Sequence, residues 1–88
     1  MSWFVYVLRC RDGSLYVGIT NDLVGRTIEH NRGKGATFTR GRRPVALVWW
    51  EEFASKSEAR KREIEIKSWS KSKKEMLVGG FPQPTASG

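Results

Sequence analysis

Two tyrosines, an arginine, a histidine and a glutamate are the residues of this chain whose types and spacing can do chemistry together. Tyr6 and Tyr16 lie in neighbouring apolar runs, Phe4-Val5-Tyr6 and Tyr16-Val17-Gly18. Arg26 and His30 follow at helical spacing, and Glu63 comes later in a charged stretch. A phenol donates and accepts hydrogen bonds, a guanidinium grips phosphate oxygens in pairs, and an imidazole moves protons near neutral pH. Such a cluster is either core packing or a site that handles phosphate.

The elements that hold these groups decide whether they meet. Both tyrosines sit in β-prone runs, and Asp12-Gly13 between them signals a hairpin. A two-residue loop would put the phenols on opposite faces. A three-residue loop, Arg11-Asp12-Gly13 with a bulge at the glycine, pairs Cys10 with Ser14 and Tyr6 with Gly18. Tyr16 then lies one diagonal step from Tyr6 on the same face. The longer loop is expected because it gives Gly18 a purpose, leaving room beside the Tyr6 ring.

Asn21 or Asp22 can cap a helix running to about Asn31. Its period places Leu23, Val24, Thr27 and Ile28 on one broad face, with Arg26 and His30 on the flank. Arg32–Pro44 reads as a glycine-rich loop, and Val45–Phe53 as a third strand after the first, Trp3–Cys10, and the second, Leu15–Thr20. Ser55 and Glu58 form a capping box for a helix to about Ser68. Ala59, Glu63, Ile66 and Ser70 share one inward stripe of that helix, while Glu58 and Glu65 project to solvent. A carboxylate on a half-buried stripe needs a partner, because desolvating it alone costs several kcal/mol. Arg26, another cation, a hydroxyl or a metal ion would serve. Ser70 can cap a last helix from Lys71 to about Val78. The domain is expected over 1–78, with a flexible tail over 79–88. The order β-β-α-β-α-α implies a small α/β sandwich, a three-stranded mixed sheet flanked by helices.

Composition bounds the function. The 88 residues suffice for one domain, and 39% hydrophobic content excludes a wholly disordered chain. No apolar run is long enough to span a bilayer, and the Trp3–Leu8 run reads as a strand rather than a secretion leader. Cys10 is the only cysteine; it reads as an inert buried thiol and fits a reducing cytoplasm. The excess of 16 Lys+Arg over 9 Asp+Glu gives a net charge of +7. A field of that size on a small domain favours polyanions, with nucleic acid ahead of membrane. Lys34, Arg40, Arg42 and Arg43, and more weakly Lys56 and Arg60, are the expected backbone-binding surface. Gly33-Lys34-Gly35 lacks the spacing of a nucleotide triphosphate loop. Trp49 and Trp50, as consecutive strand residues, point to opposite faces, so at least one belongs to the core.

These residues resemble the GIY-YIG nuclease superfamily, in its small stand-alone bacterial-type branch. Phe4-Val5-Tyr6 stands in for the first tripeptide and Tyr16-Val17-Gly18 for the second. Gly18-Ile19-Thr20-Asn21-Asp22-Leu23, Arg26 and His30 look like the following helix. Glu58-Ala59 through Arg62-Glu63 and Ile66-Lys67 look like the acidic helix. Gly33-Lys34-Gly35-Ala36 and Thr39-Arg40-Gly41-Arg42-Arg43-Pro44 look like the loop of the small branch. The first tripeptide keeps only its tyrosine, and no asparagine follows Glu63 as it does in some members. Larger relatives attach separate DNA-binding domains; here a protein partner or a second copy of the chain would supply specificity.

The resemblance implies metal-dependent phosphodiester hydrolysis, on DNA first, directed by structure or ends, in repair or recombination. It implies one Mg²⁺ or Mn²⁺ held by Glu63, and Arg26 on the developing phosphorane charge. Tyr6 would position or deprotonate the attacking water, Tyr16 would orient water or phosphate, and His30 would relay a proton or bind phosphate. The alternative is a low-turnover or inactive nucleic-acid-binding module with the same basic surface.

Overall fold

Strand β1 (Trp3–Arg9) is the middle of a three-stranded sheet, with β2 (Leu15–Thr20) on one side and β3 (Ala46–Phe53) on the other. The computed structural model describes residues 2–80. Four helices complete the order: α1 (Leu23–Asn31), α2 (Thr37–Arg40), α3 (Lys56–Lys67) and α4 (Lys71–Gly80).

The β1–β2 hairpin takes the longer loop. Cys10 N–H donates to Ser14 O at 2.9 Å, and Gly13 adopts φ +88°, which only glycine enters freely. The Asp12 carboxylate accepts from Ser14 N–H at 3.0 Å and closes the turn. Tyr6 therefore pairs with Gly18, as expected.

The sheet differs from the mixed one expected: both neighbours of β1 run antiparallel to it. The helical connection does join two parallel strands, β2 and β3, but β1 lies between them. Among the described residues no parallel pair of strands is hydrogen-bonded.

Strand alternation divides the side chains between two layers. Val5, Val7, Val17 and Trp49 face Ala59 and Ile66 of α3, with Trp69, Leu77 and Val78 packed at the rim. Ile66 is fully buried there and contributes about 2–3 kcal/mol by leaving water. Tyr6, Leu8, Cys10 and Val45 point the other way, with Tyr16, Leu23 and Trp50 against them. Trp49 and Trp50 thus split between the faces as alternation requires. Cys10 is buried and free.

Asp22 caps α1 by accepting from Gly25 N–H at 3.0 Å, and Ser55 caps α3 by accepting from Glu58 N–H at 3.2 Å. The face of α1 is not the one expected. Val24 is 71% exposed and Ile28 44% exposed, while His30 is fully buried. The layer beneath α1 includes the Tyr6 and Tyr16 rings, so His30 packs inward and Val24 and Ile28 turn to solvent, while Leu23 keeps its place against the core.

The stretch expected to be loop from Arg32 to Pro44 contains α2, one short turn over Thr37–Arg40. Asn31 holds both ends of this excursion: its side chain donates to Val45 O at 3.0 Å and accepts from Val45 N–H at 2.7 Å. Helix α4 runs to Gly80, so Gly79 and Gly80 belong to it rather than to a tail; the rest of the expected tail, 81–88, lies outside the described residues. An Arg9–Glu75 fork, at 2.5 and 2.8 Å, ties α4 to β1. Among the described residues no helix is long and apolar enough to cross a membrane.

Candidate active site

The Tyr6 phenol is the centre on which the other groups converge. The residue is 1% exposed, and its Oη lies 2.9 Å from His30 Nε2. The Tyr6 and Tyr16 rings are 6.3 Å apart, and the Tyr16 and His30 rings 5.1 Å apart. The Arg26 guanidinium is near enough to act on the Tyr6 phenol and pairs with Glu29 at 3.0 Å. Glu63, from the opposite layer, is near enough for its charge to act on the Tyr6 phenol.

Two glycines make this packing possible. A Cβ at Gly18 would sit 2.6 Å from Tyr6 Oη. A Cβ at Gly35 would collide with His30 Nδ1 and the ring carbon beside it. His30 is fully buried and has no free space to retreat into. Gly35→Ala is therefore expected to destabilise the fold by about 1–3 kcal/mol and to displace His30 from Tyr6. Denaturant midpoints and the ring resonances of His30 check this; an unchanged midpoint with unchanged resonances would refute it.

Burial pushes the Tyr6 phenol up from 10.0 to about 12, with the Arg26 hydrogen bond and charge pulling it down and Tyr16 and Glu63 adding to the rise. A phenol that keeps its proton more tightly when folded stabilises the fold below pH 10, and that contribution is lost as pH climbs toward 12. Two pKa units correspond to about 2–3 kcal/mol. Urea midpoints should therefore fall more steeply for wild type than for Tyr6→Phe above about pH 10. Parallel falls would contradict the buried neutral phenol. Burial and the Arg26 charge hold the His30 imidazole below its usual range, against a smaller pull from Glu29.

Glu63 is 4% exposed on the α3 stripe with Ala59 and Ile66, as its spacing implied. Its partners are two cations of its own helix, Arg60 at 2.5 Å and Lys67 at 3.1 Å. Arg26 is not among its ion-pair partners. Ser70 falls outside α3 and is exposed, while its hydroxyl accepts from Lys73 N–H at 3.1 Å.

The basic residues divide into two groups. Arg40 and Arg43 line an open cleft of about 500 Å³ with Arg11, Asn31, Gly41 and Pro44, and Lys34 is exposed on the same loop. Arg43 is held by the carbonyl of Arg40 at 2.8 Å. The others have local partners. Arg42 pairs with Asp12 at 3.1 Å and lies 4.0 Å from the centre of the Phe38 ring. Lys56 lies over Trp3, and Arg60 pairs with Glu63.

Four residues of the site carried no signal of their own in the sequence. Thr39 Oγ1 meets His30 Nδ1 at 2.7 Å. Phe38 stacks on Tyr16 at 6.0 Å. Gly35 clears His30 and Asn31 clamps the loop. The Gly-x-Gly spacing before Ala36 was the one hint that backbone and ring come close here.

Comparison with known proteins places the chain in a family and matches its fold. The model of the GIY-YIG catalytic domain matches residues 2–76. A UPF0213 protein of Bacillus pumilus is 52% identical over 75 residues, covering 85% of this chain and 76% of that one. Its counterpart in Staphylococcus saprophyticus is also 52% identical, covering 85% of this chain and 92% of its own. The solution NMR structure of a UPF0213 protein from Bacillus halodurans superposes with a TM-score of 0.62 at 47% identity, covering 97% of this chain and 90% of that one. The domain match over most of the chain and relatives half identical to it agree, and the chain belongs to the GIY-YIG family.

Proposed function

We propose that this protein is a metal-dependent nuclease that hydrolyses phosphodiester bonds, acting on DNA at particular structures or ends. The observation that carries the reading is one buried phenol with an imidazole at 2.9 Å and a second phenol ring at 6.3 Å, within the influence of the Arg26 guanidinium and, from the opposite layer, the Glu63 carboxylate. Core packing alone has no use for so many polar groups at one point, because each must be desolvated.

Tyr6 Oη can take a proton from an attacking water if its own proton is accepted in turn, and His30 Nε2 is placed to accept it. Arg26 supplies a fixed positive charge with two donors for the phosphorane oxygens. Tyr16, half-buried at the rim, can orient water or phosphate through its hydroxyl. The cleft of Arg11, Arg40 and Arg43 offers salt-dependent, sequence-tolerant grip on the backbone.

Glu63 fits a divalent ion of a particular kind. No group of three or more acidic, histidine or cysteine side chains is gathered among the described residues. One carboxylate suits Mg²⁺ or Mn²⁺ when substrate oxygens and water fill the remaining positions. Arg60 and Lys67 are 58% and 47% exposed on their side chains, so both can swing aside and leave Glu63 free to hold the ion. When bound, such an ion polarises the phosphoryl group and stabilises the leaving oxygen.

A second reading, a binding module with little turnover, draws support from the phenol held near 12 and from the ion-paired Glu63. Cleavage of labelled single-stranded, duplex, nicked and flap DNA, with and without Mg²⁺ or Mn²⁺, separates the two. Ion-dependent cutting that Arg26→Ala lowers by about 10²- to 10³-fold is the expected result. Binding at low salt with no cutting under any condition would favour the module.

A further inference from the structure

The hydrogen bonds around His30 run in one direction, and Thr39 sets it. Thr39 is fully buried on α2. Its Oγ1 lies 2.7 Å from His30 Nδ1 and 3.0 Å from the carbonyl oxygen of Ala36. A hydroxyl has one proton, and a carbonyl can only accept. Two oxygens at 3.0 Å need a hydrogen between them, so the Thr39 proton points at Ala36. The lone pairs of Thr39 then face His30, and Nδ1 must carry the hydrogen. In the neutral ring Nε2 is bare, and the Tyr6 hydroxyl 2.9 Å away donates to it. The series of donors is Tyr6, His30, Thr39, ending on a backbone acceptor.

We propose that Thr39 is a positioning residue that fixes the His30 tautomer, so that Nε2 is always the acceptor for the Tyr6 proton. This rests on the nuclease reading and specifies how its base works. As water attacks, its oxygen bonds to phosphorus and its proton passes to Tyr6 Oη. The Tyr6 proton moves to His30 Nε2, and the bond from phosphorus to the leaving oxygen breaks. That oxygen takes a proton from solvent, and the imidazolium, held through Nδ1–H by Thr39, later returns one. Tyr6 never has to stand ionised before the reaction. Gly35, lacking a side chain, leaves the Nδ1 edge open for Thr39 to reach.

His30 is faced by Tyr6 from β1, Tyr16 from β2, Thr39 from α2, and Arg26 and Glu29 from its own helix. Glu63 of α3 acts on Tyr6. The pH profile distinguishes a relay from a pre-ionised phenol. With the relay, kcat/KM falls on the acid side as His30 protonates and levels off above its usual value of 6.5. A phenol ionised in advance would make it climb toward pH 12. In Thr39→Val the imidazolium loses an acceptor, so the acid limb moves to lower pH.

The chain has 1 histidine, so ¹⁵N NMR of the full-length protein labelled at histidine reads this ring alone. Wild type and Thr39→Ser should show hydrogen on Nδ1 and a bare, accepting Nε2. Thr39→Val should populate the other tautomer and lower kcat by about 10- to 100-fold, as loss of an outer partner does for other oriented imidazoles, with KM little changed. Thr39→Ser should restore kcat to near wild type. Hydrogen on Nε2 in wild type overturns the proposal whatever the cleavage result. So does a Thr39→Val protein with unchanged tautomer and kcat. If wild type cuts no DNA yet the tautomer shifts in Thr39→Val and not in Thr39→Ser, the positioning role stands and the nuclease reading fails. Should Thr39→Val fail to fold, the wild-type spectrum and Thr39→Ser still decide.

Discussion

Replacing Tyr6 with phenylalanine is expected to lower DNA cleavage by about 10²- to 10⁴-fold, the range for loss of a positioned base, while binding at low salt stays near wild type. The substitution removes one oxygen from a residue that is 1% exposed and leaves the ring to fill the same space. On the proposed mechanism the loss falls on the proton path, because that oxygen is the partner of His30 Nε2 at 2.9 Å. Some stability goes too: a buried nitrogen left unpaired costs about 1–3 kcal/mol, which the domain must absorb to be assayed. Single-turnover cleavage of a labelled flap, read beside fluorescence anisotropy, separates chemistry from binding. Cleavage within threefold of wild type would remove Tyr6 from the chemistry and leave it as packing.

Glu63→Gln is expected to lower cleavage by a factor on the order of 10³, since a bound divalent ion supplies several kcal/mol of transition-state stabilisation. Its effect on folding should stay within about 1 kcal/mol, because the partners lost, Arg60 and Lys67, are largely exposed. Chelation supplies the control. EDTA should bring wild type down to the level of Glu63→Gln and add little to the variant. An EDTA effect that is equally large in both would place the ion on other residues.

The sequence made the hairpin legible because loop length and side-chain parity are linked. One glycine, Gly18, opposite a tyrosine was enough to choose the register. The stripe of Ala59, Glu63 and Ile66 was legible for the same reason, since helical period is a local property. The two errors of packing arose where partners decide. The aliphatic side of α1 looked like the core face on its own, yet the layer beneath it is Tyr6 and Tyr16, and His30 turns inward to meet them. The sheet was expected to be mixed from the order of elements alone; that β1 lies between the two parallel strands could not be read from that order. Thr39 stayed hidden because one threonine in a basic loop has no period, and α2 is too short to declare itself. The pairing of Arg42 with Asp12 joins residues 30 apart in sequence and leaves no local trace.

The position of β1 has a further consequence. As the strand bonded on both sides, it is expected to be the last part of the sheet whose amides open to solvent, which would put Tyr6 on the portion of the molecule that exchanges hydrogen through global unfolding. Two of the cleft's arginines, Arg40 and Arg43, sit on an excursion closed at its base by Asn31 and Val45, where opening is expected to be cheaper. On the proposed reading, grip and reaction would then belong to different tiers of the protein's own opening hierarchy, one free to adapt to a bent or frayed strand, the other unable to loosen until the fold itself does.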